Sequence, residues 1–458
     1  MSQQRTFATD AALIREQPGD EKDDVLFQQT YCLRTIELNR PKKLNSLNGS
    51  MARKIIPRLQ EWTKSQMTNV VLIKGAGRAF CAGGDVAALA EWNKTGPSGQ
   101  QASKDYFALE YKLDHMIATY QKPYIAFMDG ITMGGGVGLS VHAPFRIATE
   151  NTLFAMPETT IGFFPDVGAS FFLPRMDGQL GTYLALTSEQ LQGVDVFYHG
   201  IATHYVHSSS LPQLEARLGE LNFKDRATLE MRNDIVNATI EEFATSLPTS
   251  RPRISGALRM AIDKIFAHQT VEGILEQLKS LADSPSTSKE LQEWAKKTVT
   301  TIESRSPTSV AVALHQMRVG RKWNIRETFE QEHKIASKFM DHPDFIEGVT
   351  ARLVRRQKER PNWQPASFDQ VTSDQIKQFF KPPSPSERLI LPNEDEELDY
   401  KEYPHRKFGL PTEEIIESMV QQDKLDELLR STGGKQGVKE KVGEYLERVG
   451  LIEPGARL

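Results

Sequence analysis

Short apolar runs alternate with amphipathic stretches along the first half of the chain. Runs that are apolar at nearly every position and end near a glycine are typical of strands buried in a parallel sheet. Stretches with apolar residues three or four positions apart are typical of helices. The predicted strands lie in TYCLRTIELNR, TNVVLIKGAG, QKPYIAFMDG and FRIATENTLFAMPE, and the predicted helices in SLNGSMARKIIPRLQEWTKS and at 105–120. Repeated strand–helix units with buried strands predict an α/β core.

The pattern changes near residue 221, where the strand signals stop. Long amphipathic stretches then predict a helical second domain, among them ALRMAIDKIFAH, VEGILEQLKSLAD and DFIEGVTARLVRRQKER. KPPSPSERLILPNEDEELDY has the Pro/Ser-rich and acidic composition of a linker, and further helices are predicted after it, the first starting at Thr412. We therefore expect four segments: a polar lead-in at 1–25, an α/β core at 26–220, a helical domain at 221–380, and a linker with a helical extension at 381–458.

The composition changes this picture little: of 458 residues, 39% are hydrophobic and 25% are charged. The formal net charge of −4 provides no overall attraction for nucleic acid or anionic lipid, so an anionic ligand must be bound by local groups. No apolar run approaches the length of a membrane span. We expect neither direct DNA binding nor membrane insertion. With only Cys32 and Cys81, a disulfide framework is excluded and a reducing compartment is expected.

The N-terminal stretch MSQQRTFATDAALIR permits two interpretations. Arg5 with Ser, Thr and Ala before the first acidic residue, Asp10, is typical of the end of a mitochondrial presequence. The stretch is too short and too soon acidic for a whole presequence, and the alternative is a disordered leader. Both interpretations stay open at this point.

Two glycine-rich segments follow predicted strands and precede helix-like sequence. The first is FCAGGD at 80–85, and the second is DGITMGGGVG at 129–138. Glycine lets the backbone approach a ligand closely, and a helix start presents unpaired N–H groups. Two such groups that converge on one point would stabilise a developing oxyanion. The alternative is that the glycines serve only tight turns and close packing. Neither segment matches a phosphate loop or a dinucleotide-binding pattern.

A third segment, AMPETTIGFFPDVG at 155–168, carries two acids in apolar surroundings. A carboxylate in such a setting is costly unless it has a function. Glu158 and Asp166 are therefore candidates for catalysis, because close carboxylates in a dry pocket push their pKa values apart, which suits general acid/base work. The alternative is that each acid stabilises the start of a helix.

Four blocks of the sequence together resemble the signature blocks of the crotonase (enoyl-CoA hydratase/isomerase) superfamily: LNRPKKLNSLN, FCAGGDV, GITMGGGVGLS and AMPETTIGFFPDVG. The last two blocks look like the 3-hydroxyisobutyryl-CoA hydrolase branch, mitochondrial enzymes of valine breakdown. The resemblance covers roughly 26–380, including SPTSVAVALHQM and HPDFIEGVTARLV. It implies an α/β fold, a crotonase-like spiral of ββα units followed by a helical domain that helps to bind CoA. It also implies an acyl-CoA substrate and a location in the mitochondrial matrix.

The resemblance further implies roles for individual residues. The backbone N–H groups of Gly84 and Gly135 would form the oxyanion hole. Glu158 matches the catalytic glutamate, and Asp166 matches the second acid of the hydrolase. Glu110, in FALEYKLDHM, matches a substrate-contacting position, although its spacing alone predicts a solvated helix face. The implied substrate-binding residues are Glu110, Gly135, Glu158 and Asp166.

One departure separates the members of the superfamily. Hydratases carry a second catalytic glutamate shortly after the triple glycine, in a GGGCE-like segment, and this chain has Gly138 there. The chain has Asp166 nearby instead. This difference favours hydrolysis of a thioester over hydration of an enoyl-CoA. Hydratase or isomerase activity stays as an alternative within the superfamily.

No metal and no separate cofactor are implied, since CoA is part of the substrate. The histidines His142, His199, His204 and His207 form no recognised ligand spacing. The candidates for binding the CoA phosphates are Lys42, Lys43 and Lys358, although surface lysines are more often simply solvated.

The extension suggests a function of another class. Fungal relatives with this kind of extension resemble components of the mitochondrial ribosome's small subunit, so proteins of that subunit are candidate partners of 381–458. The extension from 383 onwards has 17 acidic and 11 basic side chains, a net charge of −6, which argues against electrostatic binding to RNA. Contact with neighbouring proteins is the better hypothesis. The two functions are compatible, because every mapped catalytic position is present.

Overall fold

The computed structural model describes residues 13–224, 226–245, 247–248, 251–382, 388–393, 395–453 and 455. Most of the expected leader, 1–12, lies outside the described residues. The strands in the described part of the chain are β1 Val25–Thr30, β2 Leu33–Leu38, β3 Val70–Gly75, β4 Ala79–Ala82, β5 Tyr124–Met128, β6 Ile131–Met133, β7 Phe145–Ala148, β8 Leu153–Ala155, β9 Leu191–Gln192 and β10 His204–Tyr205.

The strands form two sheets. The larger sheet has the order β1-β2-β3-β5-β7-β10, and all of its neighbours are parallel except the β1–β2 hairpin. The smaller sheet has the order β4-β6-β8-β9, in which β9 is antiparallel to β8. The strands β3 and β5 are apolar almost throughout and are buried on both faces, as the continuous apolar runs predict.

The helices of the first half complete a repeated pattern. They are α1 Gly49–Lys64, α2 Val86–Asn93, α3 Pro97–Ala118, α4 Gly135–Val141, α5 Ala169–Phe172, α6 Leu180–Thr187 and α7 Val194–Tyr198. In the pairs β3/β4, β5/β6 and β7/β8, the first strand enters the larger sheet and the second enters the smaller one, and helical segments follow each pair. The chain therefore repeats a ββα unit, and the predicted α/β spiral is confirmed.

The second half is helical in the described residues. Its helices are α8 Leu211–Gly219, α9 Leu229–Glu241, α10 Gly256–Ile265, α11 Val271–Asp283, α12 Lys289–Ser304, α13 Pro307–Val319, α14 Ile325–Met340, α15 Pro343–Val349, α16 Ser373–Phe379, α17 Glu413–Gln421, α18 Leu425–Ser431 and α19 Val438–Arg448. The predicted helix DFIEGVTARLVRRQKER is shorter than expected, because α15 passes into a π-helical turn at Thr350–Val354 and ends. None of the described helices combines the length and the hydropathy needed to cross a bilayer.

The helical half packs directly on the ββα spiral. Helix α14 lies along α3, and α13 lies along α6. Because α3 is covered by α14 on one side and by the spiral on the other, every residue from Leu109 to Ala118 is buried. Both halves contribute to one continuous hydrophobic core.

The C-terminal extension also packs on its own chain. Leu389, Leu391, Leu410, Ile416 and Val442 are buried in the shared core. Helix α17 begins after its N-cap residue Thr412, as predicted, but the predicted long helix is broken between Gln421 and Leu425 into α17 and α18. Helix α19 packs against α10, so the extension is held by the helical half.

The described part of the expected lead-in is held by ion pairs. Asp24 accepts from Lys54 at 2.6 Å, and Asp20 pairs with Arg53. Leu13 and Ile14 pack against the hydrophobic core. The segment from residue 13 onwards is therefore packed on the folded chain through these apolar side chains and through the two ion pairs with α1.

Candidate active site

A cleft of about 460 Å³ lies between the ββα spiral and the helical half. This volume is within the range of small-molecule sites. Both glycine segments line it, as do the turn at Glu158–Ile161 and the π-helical turn after α15. The structure brings all five sequence-predicted site residues to this cleft: Gly84, Glu110, Gly135, Glu158 and Asp166.

The two glycine segments place two backbone N–H groups side by side. Gly84 follows β4, and Gly135 is the first residue of α4. A Cβ atom built on Gly135 would lie 3.4 Å from the backbone nitrogen of Gly84. Neither N–H group donates a hydrogen bond within the described residues, and that of Gly135 is left free because the first N–H groups of a helix have no intrahelical acceptor. Both N–H groups are thus available to a ligand.

Glycine is required at this point for steric reasons. Gly83 and Gly134 have φ values of 107° and 44°, in the left-handed region that side chains disfavour. A Cβ atom on Gly135 would lie 2.5 Å from Oε1 of Glu110. The close approach of the two segments therefore depends on the missing side chains.

Glu158 is buried at the wall of the cleft. It begins the turn Glu158–Ile161 after β8, and its side chain is buried with Oε2 lacking any hydrogen-bond partner among the described residues. Oε1 lies 3.0 Å from a Cβ atom built on Gly134, so this carboxyl group faces the second glycine segment. Burial and the charge of Asp166 raise the pKa of Glu158 well above its ordinary value.

Glu110 lies on α3, where the spacing of apolar residues predicts a solvated face. The structure corrects that prediction: the residue is 2% exposed, and Oε1 has no partner among the described residues. Burial and the charge of Asp166 raise the pKa of Glu110 well above its ordinary value. Glu110 therefore lines the cleft instead of facing solvent.

Asp166 is presented by a strained turn. Val167 has φ 54° and Gly168 has φ 87°, both in the left-handed region. Oδ2 of Asp166 accepts a hydrogen bond of 2.7 Å from the hydroxyl of Tyr111 on α3. Burial raises the pKa of Asp166 to about 7, and the Tyr111 hydrogen bond opposes that rise. Asp166 does not cap α5, since its side chain points to Tyr111 instead.

Three buried polar side chains hold this turn. Glu332 of α14 accepts hydrogen bonds from the backbone N–H groups of Gly168 at 2.6 Å and Ser170 at 2.8 Å. The ring of His142, just after α4, hydrogen-bonds to the Val167 carbonyl at 2.9 Å, and since a carbonyl only accepts, Nε2 is the donor. Gln316 of α13 donates to the Pro165 carbonyl. No local pattern in the sequence points to Glu332, because it lies more than 160 positions from the groups that it binds.

Asp114 is a further buried acid that the sequence analysis missed. It lies one helical turn after Glu110 on α3, is fully buried, and has no hydrogen-bond partner on either oxygen within the described residues. A Cβ atom built on Gly138 would lie 2.6 Å and 2.7 Å from its two carboxyl oxygens. Burial and the charge of Glu110 raise the pKa of Asp114 well above its ordinary value. Asp114 therefore fills the space into which a side chain at position 138 would extend.

Basic residues at the cleft differ in part from those expected. Lys43 lines the cleft, but Lys42 and Lys358 are exposed and lie outside its lining. Arg352, in the π-helical turn, lines the cleft and was not predicted. Its guanidinium group donates to the carbonyls of Gln357 and Lys358, and π-helical turns are frequent at functional sites.

Among the described residues, no group of three or more His, Cys, Asp or Glu is arranged to hold a metal ion. The cleft combines two free N–H groups, three buried carboxyl groups of raised pKa on its lining, and apolar walls. Free N–H groups stabilise negative charge on a carbonyl oxygen, and a carboxyl group with a pKa near neutrality, as Asp166 has at about 7, transfers protons. This arrangement suits acyl chemistry on a carbonyl compound.

Comparison with known proteins agrees with this description. Residues 33–380 match the family model described as enoyl-CoA hydratase/isomerase. The chain is 51% identical to the small ribosomal subunit protein mS47 of Neurospora crassa, over 99% of this chain and 91% of that protein. It is 41% identical to the mitochondrial 3-hydroxyisobutyryl-CoA hydrolase of Gallus gallus, over 79% of this chain and 90% of that protein. The crystal structure of a carnitinyl-CoA dehydratase from Mycobacterium thermoresistibile superposes with a TM-score of 0.70 at 33% identity, covering 81% of this chain and 100% of the dehydratase. The chain belongs to the enoyl-CoA hydratase/isomerase family.

Proposed function

We propose that this protein hydrolyses 3-hydroxyisobutyryl-CoA, or a closely similar 3-hydroxyacyl-CoA thioester, to the free acid and CoA in the mitochondrial matrix. The observation that carries the proposal is the combination of Glu158 and Asp166 with two free N–H groups in one cleft, while Asp114 fills the space beside Gly138. The 41% identity to a protein named as that mitochondrial hydrolase supports the choice of substrate. The reaction needs only water and groups of the chain, so no separate cofactor is part of the proposal.

The thioester carbonyl would bind between the N–H groups of Gly84 and Gly135. When an oxygen nucleophile attacks the carbonyl carbon, the carbonyl oxygen gains negative charge, and these two donors stabilise it. One such donor contributes about 3–4 kcal/mol to transition-state stabilisation in other enzymes. Because both donors are backbone groups fixed by β4 and α4, they need no rearrangement when the charge develops.

Glu158 would supply the base or the nucleophile. As a base, it takes a proton from water, the hydroxide oxygen bonds to the carbonyl carbon, and the C–S bond breaks to release the CoA thiolate, which takes up a proton. As a nucleophile, its carboxylate attacks the same carbon, the thiolate leaves, and water then hydrolyses the resulting anhydride. A single turnover in ¹⁸O-water tests the second route: label in the Glu158 carboxyl group shows that water opened the anhydride at the Glu158 carbon, whereas direct attack by water labels only the released acid.

Asp166 would hold the 3-hydroxyl group of the substrate or assist proton transfer. Its pKa of about 7 places its ionisation near neutral pH, and its charge is one cause of the raised pKa of Glu158. The ionisations of the two acids are thus linked: while Asp166 keeps its proton, its charge no longer raises the pKa of Glu158, and Glu158 loses its own proton more readily. Tyr111 fixes the direction of the Asp166 carboxyl group through the 2.7 Å hydrogen bond.

The same geometry disfavours hydration of an enoyl-CoA. The hydratases of the superfamily that this sequence resembles use a glutamate at the position of Gly138. Here a Cβ atom at 138 would meet the Asp114 carboxyl group at 2.6–2.8 Å, well inside van der Waals contact. A second catalytic glutamate therefore has no space in this packing.

The test is release of free thiol from 3-hydroxyisobutyryl-CoA, compared with loss of enoyl absorbance from crotonyl-CoA. We expect thiol release by the wild type and at least a hundredfold lower kcat for Glu158→Gln, the usual scale for loss of a positioned base. Glu61→Gln, an exposed acid on α1, is the matched control and should act as wild type. Near-normal thiol release by a folded Glu158→Gln variant, or faster turnover of crotonyl-CoA, would refute the proposal.

A second function is favoured by a separate observation. The match to the ribosomal subunit protein mS47 extends over 99% of the chain and so includes the C-terminal extension, whereas the match to the hydrolase covers 79%. We propose that the protein also associates with the mitochondrial small ribosomal subunit through contacts of 381–458 with neighbouring proteins. Three acids of the extension, Glu414, Glu417 and Glu427, are exposed on α17 and α18.

Sedimentation of the full-length protein with mitochondrial small subunits tests this second function. We expect co-sedimentation of the wild type and of Glu158→Gln. Replacing the three exposed acids by lysine should weaken the co-sedimentation. If the protein stays at the top of the gradient in every case, or if the lysine variant co-sediments as the wild type does, association through the extension is wrong. Thiol release measured on the same variants keeps the two functions separate.

A further inference from the structure

A second cavity, of about 120 Å³, lies between the α/β spiral and the C-terminal extension. The active-site cleft lies at the N-terminal end of α4, and this cavity lies at the other end, beside Val141 and His142. Tyr403, Arg406 and Lys441 of the extension form part of its wall. The cavity therefore depends on residues beyond 33–380, the part of the chain that the family model matches.

The wall of this cavity is strongly basic. Arg146, Arg175, Arg406 and Lys441 line it, and its acidic lining residue is Asp177. Lys441 pairs with Asp177 at 2.7 Å, and Arg406 pairs with Glu402 at 2.8 Å. Two guanidinium charges then stay without a carboxylate partner within the described residues.

These two guanidinium groups bind only neutral oxygens. Arg146 donates to the carbonyls of Ala143 and Ile201 and to the hydroxyl of Tyr403. Arg175 donates to five backbone carbonyls, those of Phe171, Gly320, Arg321, Trp323 and Lys401. Neutral acceptors orient a guanidinium group but do not balance its charge. Arg146 is buried and Arg175 is half-buried, and burying an unbalanced charge is costly, so an anion in the cavity would reduce that cost.

Donors for an anion are present around the cavity. His199 is buried, and its Nε2 has no hydrogen-bond partner among the described residues. Nη2 of Arg146 makes only a 3.5 Å contact, with the Gly200 carbonyl. Lys441 has three N–H bonds, one of which Asp177 occupies. Burial lowers the pKa of His199 to about 3 and that of His405 to about 4. Both rings are therefore neutral and add no positive charge to that of the arginines and the lysine.

We propose that this cavity is a binding site for a phosphate group, either free or carried by a small phosphate monoester. A phosphate carries about −1.5 to −2 charges at neutral pH, which matches the two unbalanced guanidinium groups. Charge-assisted hydrogen bonds from Arg and Lys to phosphate oxygens are among the stronger ones in proteins. The volume equals the share of about four liquid water molecules, enough for one phosphate group. Because the extension supplies part of the wall, the bound anion also holds the extension against the spiral.

Isothermal titration and thermal unfolding of the full-length protein with inorganic phosphate test the site. We expect saturable binding and a rise in Tm above that caused by chloride at equal ionic strength. Glycerol 3-phosphate forms the second arm: tighter binding than inorganic phosphate identifies an ester as the ligand, and weaker binding identifies free phosphate. Both results support the site.

Arg406→Gln and His199→Phe should each weaken phosphate binding by about tenfold or more, the scale of one charge-assisted hydrogen bond. Arg251→Gln removes one arginine from an exposed pair with Glu447 of the extension, away from the cavity, and should leave binding unchanged. Arg406 is paired only with exposed Glu402, so its variant should fold even if His199→Phe does not. Absence of saturable binding, or unchanged binding by Arg406→Gln, would overturn the assignment.

Discussion

The steric relation between Gly138 and Asp114 leads to a quantitative prediction. In Gly138→Ala, the new methyl group would lie 2.6 Å and 2.7 Å from the two Asp114 oxygens, so the carboxyl group or α4 must move. Overpacking of a buried site costs about 1–3 kcal/mol. We therefore expect Gly138→Ala to lower the free energy of unfolding by that amount.

Asp114→Ala should behave differently. It removes two buried oxygens without hydrogen-bond partners, which stabilises by about 1–3 kcal/mol, and it leaves a small cavity that offsets this gain. The single variant should therefore lie within about 1 kcal/mol of the wild type. In the double variant, the methyl group at 138 enters the space that the carboxyl group has left. The two changes should then couple by about 1–3 kcal/mol in the stabilising direction.

Urea unfolding of the wild type, the two single variants and the double variant measures this coupling, which is read from the shift of the unfolding midpoint at an unchanged slope. Gly19→Ala is the matched control, because nothing lies within 4 Å of a Cβ atom there and its backbone is not left-handed. Strict additivity of the two substitutions, or a neutral Gly138→Ala, would show that the carboxyl group does not occupy the space beside position 138. The steric argument against a hydratase glutamate would fall with it.

Three further predictions concern the turn that carries Asp166. In Tyr111→Phe, loss of the hydrogen bond should raise the pKa of Asp166. The acidic limb of kcat/KM against pH should then move to higher pH by about one unit, since one hydrogen bond contributes about 1 kcal/mol. An unmoved limb contradicts this prediction. Glu332→Ala leaves the N–H groups of Gly168 and Ser170 unpaired and should cost about 2–6 kcal/mol in urea unfolding, while a cost below about 1 kcal/mol would contradict the support role. Burial raises the pKa of Asp166 to about 7 and that of Glu332 to about 8, so the folded state keeps protons that the unfolded state releases. The contribution of these two groups to the free energy of unfolding should therefore be fully present below the ordinary carboxyl pKa and be lost as pH rises through about 8. Tm measured from about pH 6 to about pH 8 would check this, and a Tm that rises over this interval contradicts it.

Local patterns in the sequence determined the framework of this protein. The apolar runs of β3 and β5 and the three-to-four spacing of α1 predicted their elements, because strand and helix have different periods of burial. The glycine segments stood out because they depart from what an ordinary turn needs. The acids at 158 and 166 stood out because an apolar segment has no need of carboxylates. Family resemblance then supplied roles that the patterns left open.

The tertiary structure decided the surroundings of those groups. Glu110 and Asp114 lie on a helix that is covered on both sides, so a face that the helical period assigns to solvent is buried. Glu332 and Arg352 reach the site from α14 and the π-helical turn, and no local pattern records a contact across more than 150 positions. The extension closes the basic cavity by packing on the spiral, and local sequence patterns do not show which surfaces of the two segments contact each other. Sequence periodicity records how each segment divides its polar and apolar sides, whereas the pairing of distant segments depends on the shape and charge that they present to each other after folding.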